Sequence, residues 1–299
     1  MTPFESYLQP ALARRGFWRV IVGILLILLC WGIGMVLVLA MWMVAKIASG
    51  APLETALAQL DALQTGGHPT GIVIMLLSFF GIWVGVFTAV VTLHAQRFST
   101  IFAPRWSGAL RDFAKGALLA GLVAIPQVVI GLQISDPFPG MAFTQWIYWF
   151  LPVVALVFIQ ATGEELIFRG YLLQQIAGRA KSWILWAFLP SFAFGLLHYA
   201  GREDGGDLYY IAVTTVVGLT FCALVWRSGS LMPAIGLHVT VNALALTVIG
   251  PEGSLGGTQL WLFPEADFLP LIQMDLAIAV LVLAFVLSPL GRVFDAPKP

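Results

Sequence analysis

Charge is what this 299-residue chain has least of: Asp, Glu, Lys and Arg together make up 10% of it, against the roughly 25% of an ordinary soluble protein. With 60% apolar residues and a mean hydropathy of +0.92, it cannot cover a water-soluble body with polar surface, and a disordered chain is excluded by the same numbers. Neither sign of charge is in excess, 15 basic residues standing against 15 acidic, so a nucleic-acid partner, which needs a basic surplus, is not expected. There are two cysteines, Cys30 and Cys222, each inside an apolar run and neither in a C-x-x-C spacing. A disulfide framework, a thiolate zinc site and an iron–sulfur cluster therefore lack ligands, and both thiols read as small buried hydrophobes. No internal repeat of period about 20 to 50 is present, so solenoid and inverted-repeat transporter architectures gain no support. H-E-x-x-H and G-x-S-x-G are also absent.

What is present is a series of long apolar runs. A bilayer core about 30 Å thick takes roughly 20 residues of helix, and on that rule eight segments are expected, near 18–45, 71–95, 113–133, 144–177, 183–200, 208–226, 231–249 and 270–288. Arg14-Arg15-Gly16-Phe17 is faintly similar to a twin-arginine signal, but the run Val20 to Ala45 is too long for a signal core and reads as a retained first span. Basic residues flanking spans stay in the cytoplasm. Alternate connections sort accordingly: Arg14, Arg15, Arg19, Arg97, Arg105, Arg111, Lys115, Arg169, Arg179, Lys181, Arg227, Arg292 and Lys298 fall on one side, and only Lys46 and Arg202 on the other. Ten of the 15 acids, Asp275 among them, read as lying on that second side. The expected fold class is an all-α integral membrane protein, an eight-helix bundle with a polar intramembrane cavity in the cell membrane and both termini cytoplasmic. Its parts are three N-terminal helices (1–143), a four-helix core (144–249), and an outer loop with the last helix and a tail (250–299). The connections near 46–70, with Gly66-Gly67, and 250–269 read as loops, the second with an interfacial piece around Trp261. Tryptophans near the span ends, Trp18, Trp106, Trp146, Trp183 and Trp226 among them, read as interfacial anchors, and His68 and His94 as solvent or headgroup contacts.

An ionisable side chain near the bilayer centre costs about 2.5–3.5 kcal/mol even on the lenient insertion scale, so the few inside the spans point to function. Those read there are Glu164, Glu165 and Arg169 in the fourth segment, His198 at the end of the fifth, and His238 with Asn242 in the seventh. Glu165 and Arg169 stand four apart with the acid N-terminal, the favourable order for an ion pair. Glu164 lies about 100° away around the helix and needs another partner. His238 and Asn242, also four apart, share one face. Counted at about 1.5 Å per residue, Glu164 and His198 reach similar depths, whereas His238 lies closer to its turn; either its helix starts deeper or the fourth and fifth helices project into the cytoplasm.

Such a set suits peptide hydrolysis, which needs a base for water, a donor for the oxyanion and an acid for the leaving amine. Glu164 in a partly desolvated site can take and return a proton, His198 can orient water or share that proton, and His238 and Asn242 can donate to an oxyanion. Glu164, His198, His238 and a water would equally satisfy a zinc ion.

The run Glu164-Glu165-x-x-x-Arg169, then Phe194-x-x-x-His198, then His238-x-x-x-Asn242, resembles the CAAX prenyl protease type II and bacteriocin-processing (CPBP, abortive-infection) family over residues 144–245. The resemblance implies an intramembrane endopeptidase, with Glu164 as base, His198 as its partner, His238 and Asn242 as oxyanion donors, and Glu165 and Arg169 holding structure. Its substrates would be membrane-associated proteins or peptides, lipidated in some members. Descriptions of the family as metalloproteases and as metal-independent glutamate proteases leave zinc open. Two other readings compete: a non-catalytic membrane scaffold or bacteriocin-immunity factor, and a proton-coupled carrier built on the intramembrane Glu and His.

Overall fold

Apolar runs in lipid can satisfy their own backbone only as helices. In the computed structural model, which describes residues 1–296 apart from 65, 66, 105, 203 and 254, the elements are α1 (Pro3–Leu8), α2 (Trp18–Ala48), α3 (Leu53–Gln64), α4 (Pro69–Leu93), α5 (Ala109–Ile134), α6 (Phe143–Ala177), α7 (Ile184–Leu196), α8 (Gly206–Ser228), α9 (Met232–Thr247) and α10 (Phe268–Leu287). Of the sequence reading, Gly66, Arg105, Glu203 and Lys298 lie outside the described residues. Six helices, α2, α4, α5, α6, α8 and α10, are long and apolar enough to cross a membrane, and the chain is a multi-pass membrane protein. The two remaining expected segments, α7 and α9, are shorter. At about 1.5 Å per residue α9 reaches only about 24 Å, less than the hydrocarbon thickness.

The fold is not purely helical. Phe138–Pro139 (β1), Ile249–Pro251 (β2) and Trp261–Phe263 (β3) form a small sheet in the order β1-β3-β2, β3 running antiparallel to β1 and parallel to β2. The expected loop around Trp261 is thus the central strand of that sheet, and the other expected loop contains α3. These pieces sit where the backbone leaves the helices and can no longer satisfy itself within one segment.

Helix contacts are close because small residues line them, as membrane interfaces require. α9 lies along α5, with Gly116 against the Pro233 carbonyl and Gly236 against the Phe113 carbonyl; a side chain at either glycine would collide with backbone. Five of the cations assigned to one side gather at one end of the bundle on carbonyls left free where helices end, where positive charge is favoured. Arg14 and Arg19 donate to the Thr92 and Leu93 carbonyls, Arg179 to those of Arg14 and Arg15, Arg227 to those of Val286, Leu287 and Ser288, and Lys115 to that of Val293.

That end is closed by the N-terminus. Tyr7 of α1, fully buried, donates to the Ile101 carbonyl at 2.6 Å, with the Arg169 carbonyl 3.2 Å away. The α8–α9 turn is recessed beneath it: Gly229, at φ +63°, faces the Pro3 carbonyl, and the Leu231 amide donates to the Phe102 carbonyl at 2.7 Å. This resolves the depth mismatch in the sequence, because α9 starts inside the molecule, on a buried turn, rather than at its surface.

Candidate active site

Glu164 and Glu165 end the α-helical part of α6, and the chain then winds wider through a π-helical stretch, Leu166–Leu172, before α-helix resumes. Such widened turns recur at functional sites. Arg169 lies in it and reaches back to Glu165, Nη1 to Oε1 at 2.8 Å, both side chains almost wholly buried. The guanidinium is packed among Phe168, Phe194 and Phe221, whose ring centres lie 5.5, 4.7 and 4.9 Å from it. Its Nε and Nη2 are buried without a hydrogen-bond partner, as is Glu165 Oε2, so the rings' faces stand in for polar neighbours. Space for this arrangement comes from Gly218 of α8, where a Cβ would stand 2.5 Å from Arg169 Nη2.

His238 of α9 lies between the two carboxylates. Its Nδ1 is 2.9 Å from Glu165 Oε1 and its Nε2 3.3 Å from Glu164 Oε2. Phe221 stacks on the imidazole with centroids 5.0 Å apart, and Phe194 stands edge-on at 6.1 Å. Two carboxylates, one guanidinium and one imidazole thus meet in one place. Glu164 is the more accessible carboxylate, its side chain 17% exposed against 0% for Glu165.

His198 is held differently from the expectation that it partners Glu164. Its Nδ1 pairs with the Phe194 carbonyl at 2.9 Å, and its ring stands edge-on to Phe194 (4.8 Å) and Tyr210 (5.4 Å). Among the described contacts, Glu164 meets His238 instead. The turn after His198 is pinned by the buried Asp207 carboxylate, which accepts from the amides of Ala200 at 3.2 Å and Arg202 at 2.8 Å. Among the described contacts, His198 therefore borders the Glu164–His238 pair across the Phe194 ring, which meets both imidazoles.

Asn242 donates its Nδ2 to Gln160 Oε1 at 3.0 Å. Gln160 is a residue that sequence reading passed over. It is buried, and it lies one helical turn before Glu164, so the amide–amide contact ties the Asn242 end of α9 to the face of α6 that carries Glu164. The signal was there, an amide four residues before an intramembrane acid. A second omission is Asp275, counted with the outer acids although it lies inside α10, where Gln127 of α5 donates to its Oδ1.

His94 needs correcting. It is not a headgroup contact: it is 1% exposed, and its Nε2 lies 2.9 Å from the hydroxyl of Tyr171, which itself donates to the Arg19 carbonyl. Burial, with Arg179 adding to it, pushes its pKa down from 6.5 to about 4, holding it neutral. His68 stays exposed and caps α4 by accepting from the Thr70 amide. Trp146, read as an anchor, donates its indole N–H to the Thr247 carbonyl. Cys222 is buried and Cys30 partly so, and both are free.

Among the described residues no three His, Cys, Asp or Glu side chains converge as a metal-binding group, and both nitrogens of His238 face carboxylates.

A buried carboxylate–arginine pair beside a carboxylate–imidazole pair, set in a helical bundle, marks the class as a membrane protein with acid–base groups inside its span region. Residues 144–244 match the model of a family described as type II CAAX prenyl endopeptidase Rce1-like. The resemblance carried by the three motifs holds over that segment, which contains all six of the residues singled out. Among curated proteins, the chain is 26% identical over 212 residues to the Uncharacterized protein YyaK of Bacillus subtilis (strain 168), covering 70% of each chain. No solved structure matches it.

Proposed function

We propose that this protein is an intramembrane endopeptidase that hydrolyses a peptide bond of membrane-associated proteins or peptides, with Glu164 as the base. The supporting observation is the contact between the partly exposed Glu164 and His238 beside a second glutamate already neutralised by Arg169. Glu164 takes a proton from water as the water oxygen attacks the scissile carbonyl carbon. The carbonyl oxygen becomes an oxyanion, which the Asn242 carboxamide stabilises by donation. Glu164 passes that proton through His238 to the leaving nitrogen as the carbon–nitrogen bond breaks, and the products are a carboxylic acid and an amine, the acid then giving its proton to the amine. Glu165 and Arg169 hold His238 in orientation. His198 serves as a positioning group at the edge of the site. No step needs a metal.

The Rce1-like match supports a CAAX-type substrate, and the basic residues at one end of the bundle support a cytoplasmic orientation of that end. Cleavage of a library of lipidated and unlipidated peptides by detergent-purified protein, read by mass spectrometry, tests the reading. Products should form with the wild type and vanish with Glu164→Gln at matched folded protein. Equal cleavage by both proteins would overturn it and return weight to a scaffold or immunity role.

A further inference from the structure

Away from the glutamate pair, α5, α8, α9 and α10 enclose a cavity of about 150 Å³. Its walls are apolar, Leu119, Val123, Val213, Val217 and Leu237 among them, except where Asp275, Gln127 and Thr220 enter it, the Thr220 hydroxyl donating to the Val216 carbonyl. Leu237 and Val241 line it one residue before His238 and Asn242, so it occupies a different face of α9, about 100° around the helix from the glutamates. Val241 is 38% exposed, so the cavity is open at that residue.

Asp275 is the anomaly. It lies inside a spanning helix, where an acid is costly, and among the described residues its hydrogen-bond partner is the Gln127 carboxamide, which donates to Oδ1 and leaves Oδ2 free to accept. No lysine, arginine or histidine is among the described residues lining the cavity. An apolar cavity with one uncompensated carboxylate in its wall is complementary to a cation on an apolar body. We propose that this cavity binds one end of a membrane-dissolved amphiphile bearing a protonated amine, the amine meeting Asp275 and the hydrocarbon lying against α5, α8 and α9. About 150 Å³ accommodates a group of roughly benzene size, so the rest of the chain extends into the bilayer. The glutamate site has no part in this binding, and its test is independent of peptidase activity.

The probe is n-octylamine carrying a photoactivatable diazirine, applied to the wild type in maltoside micelles, with labelled peptides mapped by mass spectrometry and with octylamine and n-octanol as competitors. Labelling should saturate within 119–127, 213–220, 237–241 and 275–282, and octylamine should displace it while octanol at the same concentration does not. Asp275→Asn should reduce saturable labelling about tenfold or more, the usual loss when a charge-assisted hydrogen bond is removed, and Glu164→Gln should leave it unchanged. Val217→Phe, which keeps Asp275 and fills the cavity, should also abolish it, so the test survives if Asp275→Asn fails to fold. Labelling spread over the lipid-facing helices, equal displacement by octanol, or undiminished labelling in folded Asp275→Asn would overturn the proposal.

Discussion

Glu165 and Arg169 make one prediction that the geometry quantifies. Their carboxylate and guanidinium are 2.8 Å apart with side chains 0% and 1% exposed. Removing one partner of such a pair leaves a charge in the interior without compensation, which costs about 3–5 kcal/mol. Arg169→Met should reach the upper part of that range, because Glu165 Oε2 already lacks a partner and Oε1 would retain only His238. Glu165→Gln should cost a similar amount, since the guanidinium has two buried nitrogens with no acceptor and would lose the carboxylate that meets the third. The double variant removes both charges together, so its loss should fall short of the sum by about 2 kcal/mol or more, a coupling expected of contacting charges. Glu164→Gln, on a carboxylate that is 17% exposed and paired only with imidazole, should shift stability by less than about 1 kcal/mol. The assay is reversible unfolding in mixed micelles of rising anionic-detergent fraction, followed by tryptophan fluorescence and completed as a double-mutant cycle. Additive losses, or a Glu164→Gln loss as large as that of Glu165→Gln, would refute the division of the two glutamates into one structural and one accessible group.

Asn242→Ala should lower kcat for peptide cleavage by about 100-fold or more, the usual cost of losing an oxyanion donor; Gln160→Ala should lower it by a smaller factor, with Gln160→Glu, which still accepts from Asn242, restoring part of the rate. Chelator treatment should leave cleavage within about twofold of the untreated rate, and loss of activity that zinc restores would show that the donors rearrange to bind metal. Stability should depend on acid through His94. Its folded pKa of about 4 lies below the ordinary 6.5, so between those values the unfolded chain binds more protons. Stability then rises with pH across that window and falls as pH drops, by at most about 1.4 kcal/mol per pH unit for this one group. His94→Gln should flatten that slope in a pH series of unfolding midpoints. Gly116→Leu should destabilise the bundle by more than about 3 kcal/mol, because its side chain would meet the Pro233 carbonyl of α9 and drive the helices apart.

Much of this protein is determined one segment at a time, and that part was legible in the sequence. Helices such as Trp18–Ala48 and Ala109–Ile134 satisfy most of their backbone groups within one segment, so hydropathy and length alone identify them. The same locality made the Glu165–Arg169 spacing readable, because residues four apart on one helix meet whatever surrounds them. What lies between segments was not legible. Eight apolar runs could not say that α7 and α9 stop short, since that depends on where a recessed turn at Gly229 is buried under α1. The β1–β3 pairing joins strands more than a hundred residues apart, and strands of two and three residues leave no local pattern. Depth counting paired Glu164 with His198, but rotation about each helix axis, set by the glycine contacts and the aromatic packing around Arg169, turned His238 to the glutamates and His198 to Phe194. The burial of His94 and the contact of Gln160 with Asn242 have the same origin. The sequence by itself determined the spans and, Gln160 and Asp275 aside, the polar groups singled out in them; only the tertiary structure decided which of those groups touch, because azimuth around a helix is fixed by the neighbours it packs against.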